Sequence, residues 1–107
     1  TAVQVPVAVA SDGSDADLAE LLRVPGVRRL NSNAVVDMFS LAQSKIILAS
    51  NSTFSAWAAF LGHVPILWAR RDEHFKDIFR DGTINEVLAA EDELPSRLGE
   101  YLRRVFR

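Results

Sequence analysis

The sequence predicts a single α/β domain with a Rossmann-like parallel sheet of about four strands and flanking helices. Short, nearly continuous apolar runs alternate with segments whose apolar residues recur at helical spacing. Such alternation is typical of a parallel sheet that is covered on both faces. The length of 107 residues fits one domain. The composition, with 49% hydrophobic and 24% charged residues, is ordinary for a globular protein.

The chain begins with a predicted strand over residues 3–10, a valine-rich run in which Pro6 removes one backbone donor. A polar turn at residues 11–14 leads into a helix over residues 15–23, which Pro25-Gly26 ends. The first strand and helix therefore form the opening of an alternating β-α pattern.

A second strand is predicted over residues 27–30, followed by Asn31-Ser32-Asn33, which provides helix-capping side chains. The second helix is predicted from an apolar face at positions i, i+3, i+4 and i+7, namely Val35, Met38, Phe39 and Ala42. A third strand covers residues 45–50, and the third helix opens at Asn51-Ser52-Thr53.

The third helix repeats the same spacing, which predicts an inward face of Phe54, Trp57, Ala58 and Leu61, and Gly62 ends it. Residues 64–68 form a fourth strand. The pattern is weaker beyond Ala69, where residues 75–79 indicate a short helix and residues 84–88 a turn or helix. A last amphipathic helix is predicted from Leu98, Tyr101, Leu102 and Val105.

Right-handed crossovers and the commonest strand order place the first strand between the second and the third. The ligand-binding switch point then lies between the carboxyl ends of the first and third strands. Three polar clusters fall at strand carboxyl ends: Ser11-Asp12-Gly13, Asn31-Ser32-Asn33 and Ser50-Asn51-Ser52-Thr53. The third cluster turns directly into a helix, which is the arrangement that binds phosphate at a helix N-terminus. Helix capping by Asn51 or Ser52 is the alternative, and the two roles are compatible.

Several classes of function are disfavoured by composition. The net charge of −2 argues against nucleic-acid binding, which normally needs a basic stripe. No apolar run is long enough to span a bilayer, and no signal-peptide pattern is present, so we expect a cytoplasmic protein. The absence of cysteine removes thiolate metal sites, and His63 and His74 lack the spacing of a metal pair. We therefore expect neither a metal nor another cofactor.

Residues 37–47, followed by Asn51-Ser52-Thr53-Phe54-Ser55-Ala56-Trp57, resemble the C-terminal signature of GDP-fucose-dependent fucosyltransferases, most closely the α-1,2-fucosyltransferase family. That family has an aspartate, a helix with a hydrophobic-Ser-x-Cys/Ser pattern, an Ile-Ile strand and the motif N-S-[ST]-F-S-W-W. Val9-Ala10-Ser11-Asp12 is similar to the strand that precedes this signature. The resemblance extends from Val5 to Trp68.

The resemblance implies that this chain is the C-terminal, donor-binding half of a two-domain glycosyltransferase of the GT-B type. Asp37 would accept hydrogen bonds from guanine. The pyrophosphate would be surrounded by Ser52, Thr53 and Phe54, and the site would be supported by Ser55 and Asp12. A first-turn carboxylate stabilised by the helix dipole is the alternative role of Asp37. The implied partners are a GDP-linked sugar donor and a glycan acceptor, and the catalytic residues stay unassigned.

Two departures from the family pattern leave other functions open. Ala56 stands where the family has a second aromatic residue, and no upstream segment matches its arginine motif H-x-R-R-x-D. Arg70 and Arg71 follow the fourth strand instead, where a solvated loop is the simpler interpretation. The alternatives are a non-catalytic α/β binding or interaction domain and another nucleotide-sugar or pyruvyl transferase.

Because a strand pattern starts almost at Thr1, we expect the chain to be a piece of a longer enzyme. Such a piece would expose the face that packs on its missing half, with Tyr101, Val105 and Phe106 as candidates. The sequence therefore also predicts self-association, for example as a homodimer.

Overall fold

In the computed structural model, which describes residues 6–50, 52–88 and 96–105, parallel strands form two separate sheets. The first sheet consists of β1 (Val7–Val9) and β2 (Val27–Arg29), paired in register from Val7 opposite Val27. The short helix α1 (Ala19–Leu22) connects them. The strand and helix predicted before residue 24 are therefore present but shorter than expected.

The second sheet has three parallel strands in the order β3-β4-β5. These strands are β3 (Ile47–Ala49), β4 (Ile66–Trp68) and β5 (Asn85–Val87). Helix α2 (Ala34–Ala42) precedes β3, and helix α3 (Thr53–Gly62) joins β3 to β4. A single 3₁₀ turn (Glu73–Phe75) lies between β4 and β5, and α4 (Ser96–Val105) is the last helix described.

The prediction of one four-stranded sheet with the first strand at its centre is wrong. The described residues contain five strands, and β1 does not pair with β3. Residues 3–5 of the predicted first strand lie outside the described residues, and Pro6, which has no amide hydrogen for the ladder, directly precedes β1. Val7 in β1 is 42% exposed, so this strand lacks the cover on both faces that a central parallel strand needs. The fold is mixed α/β with small parallel sheets.

The main core lies between α3 and one face of the β3-β4-β5 sheet. Ile47, Ile66 and Trp68 point from the strands into this layer, and the Trp68 ring stacks on Phe75 at 5.2 Å. Met38 and Leu41 of α2 pack against the same cluster. Trp68 and Ile66 are the largest fully buried side chains, which confirms the strand predicted over residues 64–68, and this strand lies between β3 and β5.

Helix α4 covers part of the opposite face of the sheet, where Leu48 of β3 stays 73% exposed. Leu67 and Ile84 are buried there, and Tyr101 and Leu102 pack against them. The Tyr101 hydroxyl also donates a 2.6 Å hydrogen bond to the Lys45 carbonyl. The predicted last helix is thus confirmed, and Tyr101 serves the interior of this chain.

The face of α3 that packs on the sheet differs from the predicted one. Its buried residues are the three alanines Ala56, Ala58 and Ala59. Trp57 is 53% exposed and Leu61 is 46% exposed, although both were expected to face inward. The strands already fill the core with Trp68 and the isoleucines, so only small side chains fit beneath the helix.

Gly62 does not serve as the left-handed helix terminator that the sequence suggested. It is the last residue of α3, and a Cβ placed on it would lie 1.9 Å from the Ala42 carbonyl oxygen of α2. The left-handed position is instead taken by His63, with φ of 51°. Gly62 is therefore required by the close approach of the two helices.

Candidate functional site

The predicted corner between the third strand and the third helix is present. β3 ends at Ala49 and α3 begins at Thr53, with Ser52 as its cap in extended backbone conformation. The Ser52 hydroxyl accepts a 3.4 Å hydrogen bond from the Ser55 amide. Asn51, the remaining residue of the predicted site, lies outside the described residues.

The cap leaves part of the helix N-terminus available. The Ser52 hydroxyl and carbonyl take the amides of Ser55 and Ala56, at 3.4 and 3.2 Å. The amides of Thr53 and Phe54 have no acceptor among the described residues. Thr53 is exposed and Phe54 is half-buried. Two unpaired amides and the positive end of the helix dipole therefore meet at the carboxyl edge of the sheet, where an anion is favoured.

Asp37 lies at the same edge. Helices α2 and α3 are each joined to β3 by a short connection and pack on one face of the sheet. Both therefore run opposite to β3, and both begin at its carboxyl end. Asp37 is in the first turn of α2, which Asn33 caps by accepting a 3.0 Å hydrogen bond from the Val36 amide.

The Asp37 carboxylate has one atom that calls for an explanation. Its Oδ1 is shielded from solvent and has no hydrogen-bond partner within the described part of the chain. Leaving such an acceptor unsatisfied costs about 1–3 kcal/mol, so native proteins normally provide a donor, water or ligand. The alternative role of Asp37, a first-turn carboxylate stabilised by the helix dipole, explains its place in the helix but provides no donor for this oxygen.

Asp12 is exposed in the loop after β1, in the sheet that does not pair with β3. The amides around it are already used, because Gly13 donates to the Ser11 hydroxyl and Ser14 donates to the Asp17 carboxylate, both at 3.0 Å. The Ser14 amide also lowers the pKa of Asp17. Asp12 therefore follows a strand that does not pair with β3.

Arg29 of β2, which sequence reasoning did not single out, binds the loop between β1 and α1. Its guanidinium forms a 2.7 Å ion pair with Asp15 and donates to the carbonyls of Ser11 and Gly13. The guanidinium is therefore occupied by the chain itself. Its alternation with Val27 on the side of β2 away from Arg28 was the sequence signal for this orientation.

Asn85 of the edge strand β5 organises polar contacts on the α3 face of the sheet, and it too was missed. Its Oδ1 accepts from Trp68 Nε1 at 2.7 Å and from Arg71 at 3.2 Å. Its Nδ2 donates to the carbonyls of Phe75 and Lys76 at 2.9 and 3.1 Å. An amide side chain directly after the apolar Ile84 was the signal that could have identified it.

Arg71 is half-buried because it also donates to the Asn85 carbonyl at 2.8 Å, whereas Arg70 is exposed. The interpretation as a solvated loop therefore holds for Arg70 and fails for Arg71. Arg71 is fixed on the connection that leaves the carboxyl end of β4.

An apolar groove with a volume of about 300 Å³ runs along α3 from Thr53. Its walls are mostly aromatic and consist of Thr53, Ala56, Trp57, Phe60, His74, Phe75 and Ile78. The indole of Trp57 and the ring of Phe60 stand at 88° with 6.0 Å between centroids. The groove therefore begins at the same residue that opens the helix N-terminus.

A second polar group lies at the far end of α3. His63 Nδ1 is 2.7 Å from Asp81 Oδ2, and Asp81 Oδ1 accepts from the Thr83 hydroxyl at 2.6 Å. The Thr83 hydroxyl is the main cause that lowers the pKa of Asp81 to about 2. Both His63 and Asp81 are exposed, so this group stabilises a surface turn.

No protein family, curated protein or solved structure matches this chain. Within the described ranges, no three His, Asp or Glu side chains form a cluster suited to a metal ion. In the same residues, no helix has both the length and the apolar character needed to cross a membrane. The site must therefore be interpreted from its own chemistry.

Proposed function

We propose that this chain is the donor-nucleotide-binding domain of a glycosyltransferase, similar to the α-1,2-fucosyltransferases, that moves a sugar from a GDP-linked donor to a glycan hydroxyl. The observation that carries the proposal is the corner where β3 turns into α3, at the carboxyl edge of the sheet, where the amides of Thr53 and Phe54 have no acceptor among the described residues. A pyrophosphate is the ligand that two amides and a helix dipole favour.

The unsatisfied oxygen of Asp37 supports guanine as the base. Guanine carries two adjacent donors, N1–H and the exocyclic amino group, and a carboxylate can accept from both. Asp37 and Thr53 begin neighbouring helices at one edge, so one nucleotide can place its base near the former and its phosphates near the latter. The complete enzyme would add a second domain carrying the acceptor site.

Calorimetric titration with GDP, UDP and ADP tests this proposal. We expect GDP to bind best, because only guanine offers the donor pair. Thr53→Glu should abolish binding by placing a negative charge where the phosphates sit, whereas the neutral, similarly sized Thr53→Gln should retain most of it. If Thr53→Glu binds GDP like the parent, the corner is only a helix cap and the proposal fails.

Asp37→Asn tests the base contact separately. It should weaken GDP binding by about 1–3 kcal/mol, the cost of losing a charge-assisted hydrogen bond, and should affect ADP less. Glu20→Gln removes an exposed carboxylate from the first turn of α1, the helix of the other sheet, and should leave both affinities unchanged. An equal loss for GDP and ADP in Asp37→Asn would mean that Asp37 does not recognise the base.

A non-catalytic interaction domain is the second candidate, and the outer surface of α2 favours it. Val35, Val36 and Phe39 are 64%, 47% and 54% exposed on a helix with a single charged residue, Asp37. An apolar helix surface of this kind favours association with another protein or a second copy. Absence of any nucleotide binding at millimolar concentration would favour this candidate. Another nucleotide-sugar or pyruvyl transferase would instead show a different base preference.

A further inference from the structure

We propose that the groove along α3 binds a pyranose ring, with Trp57 as its stacking surface. The inference rests on the proposed function, because it takes the corner at Thr53 as the phosphate site. Thr53 belongs both to that corner and to the groove wall. A sugar joined to a phosphate at the corner therefore has the groove as its nearest concave surface.

The groove lies on the side of α3 away from α2. Thr53, Ala56, Trp57 and Phe60 follow the spacing i, i+3, i+4 and i+7, so they share one stripe of the helix. Gly62 contacts the Ala42 carbonyl from the opposite side. A nucleotide whose base lies near Asp37 on α2 would thus direct its other end, the sugar, toward the groove.

The wall chemistry suits a sugar ring. Trp57 and Phe60 meet at 88° and form an aromatic corner that is about half exposed, with no carboxylate or ammonium group in the lining. The negative face of an aromatic ring attracts the polarised C–H groups on the apolar side of a pyranose. The Thr53 hydroxyl, the His74 imidazole and the Trp57 Nε1–H are lining groups that can hydrogen-bond sugar hydroxyls.

The floor of the groove is rigid. Phe75 is buried and stacks on Trp68 with 5° between the ring planes, and His74 contacts Phe75 edge-on at 4.3 Å. Trp57 itself lies outside the core cluster, so its substitution leaves the sheet packing intact. A sugar would therefore enter a preformed site, which lowers the ordering cost of binding.

The test compares GDP, GDP-fucose and lactose on the parent chain, Trp57→Ala, Trp57→Phe and Leu61→Ala. Leu61 is 46% exposed on the same helix and does not line the groove, which makes it the matched control. We expect Trp57→Ala to leave GDP affinity unchanged and to weaken GDP-fucose binding about two- to tenfold, the range for one aromatic contact. Trp57→Phe should restore most of that affinity.

The ligands separate the two sources of a pyranose. Loss of GDP-fucose affinity in Trp57→Ala assigns the groove to the donor sugar, and loss of lactose affinity alone, measured with GDP present, assigns it to the acceptor. If Trp57→Ala matches Leu61→Ala for both, the groove proposal is overturned although GDP binding and the proposed function stand. A parent that binds no GDP overturns the proposed function, and Trp57-dependent lactose binding would still support the groove. A change confined to sedimentation would show that a second copy covers the groove and would overturn it.

Discussion

The contact between Gly62 and α2 predicts that replacing this glycine by alanine destabilises the fold, although alanine is the better helix former. Gly62→Ala would place a Cβ 1.9 Å from the Ala42 carbonyl oxygen and 2.7 Å from its carbon, where real Cβ contacts begin near 3.0 Å. Backbone atoms cannot rotate away as a flexible side chain does, so α2 must shift by about 1 Å. Overpacking of this kind costs about 1–3 kcal/mol, and the better helix propensity of alanine returns at most about 1 kcal/mol.

We therefore expect Gly62→Ala to lower the free energy of unfolding by about 2 kcal/mol, measured by urea denaturation with an unchanged slope. Gly99→Ala is the matched control, because Gly99 lies inside α4 and its added Cβ would meet only Arg103 at 3.7 Å. That variant should gain about 0.5–1 kcal/mol from helix propensity. Equal or greater stability of Gly62→Ala would refute the close approach of α2 and α3, and with it the shared edge of Asp37 and Thr53.

Three further perturbations test other parts of the structure. Asn85→Leu should destabilise the chain by about 1–3 kcal/mol in urea, because the Nε1 of buried Trp68 loses its acceptor; unchanged stability would contradict this role. Asp81→Asn should reduce the pH dependence of the thermal unfolding midpoint between pH 3.8 and about 2. The depressed pKa of Asp81 stabilises the fold above this window, and that contribution disappears as pH falls through it; parallel curves of midpoint against pH for parent and variant would exclude this contribution. We expect the parent chain to self-associate in sedimentation velocity and Phe39→Ser to be monomeric, while Leu21→Ser, at a similarly exposed site on α1, should associate like the parent. A parent that is monomeric at high concentration would contradict association through α2.

Local signals in the sequence were sufficient for the elements around the candidate site. Asn33 and Ser52 cap helices where polar residues follow predicted strands, and the final amphipathic helix is present. These features depend on neighbouring residues in the chain. The corner at Thr53 could therefore be located before any tertiary contact was known.

Pairing between distant segments could not be predicted in the same way. The sequence predicts a turn or helix at residues 84–88 from Ile84, Val87 and Leu88, and the strand residues Asn85 to Val87 contain only one apolar side chain. Its strand conformation comes from pairing with β4 and from the hydrogen bonds of the Asn85 side chain, neither of which leaves a local pattern. The separation of β1 from β3 has the same origin, since register and burial decide which strands pair.

The error at α3 has a cause that also bears on function. The helix is apolar on every side, so its periodicity cannot distinguish the core face from the outer face. Side-chain volume decides instead: the sheet and α2 approach so closely that only alanine and glycine fit between them, and Trp57 and Phe60 are directed outward. Half-exposed aromatic rings contribute little to a core, yet here they line a groove that starts at the unpaired helix amides. The small residues that fix the helices and the large residues that face outward are thus two consequences of one packing constraint, and a ligand that uses both the amides and the rings would explain them together.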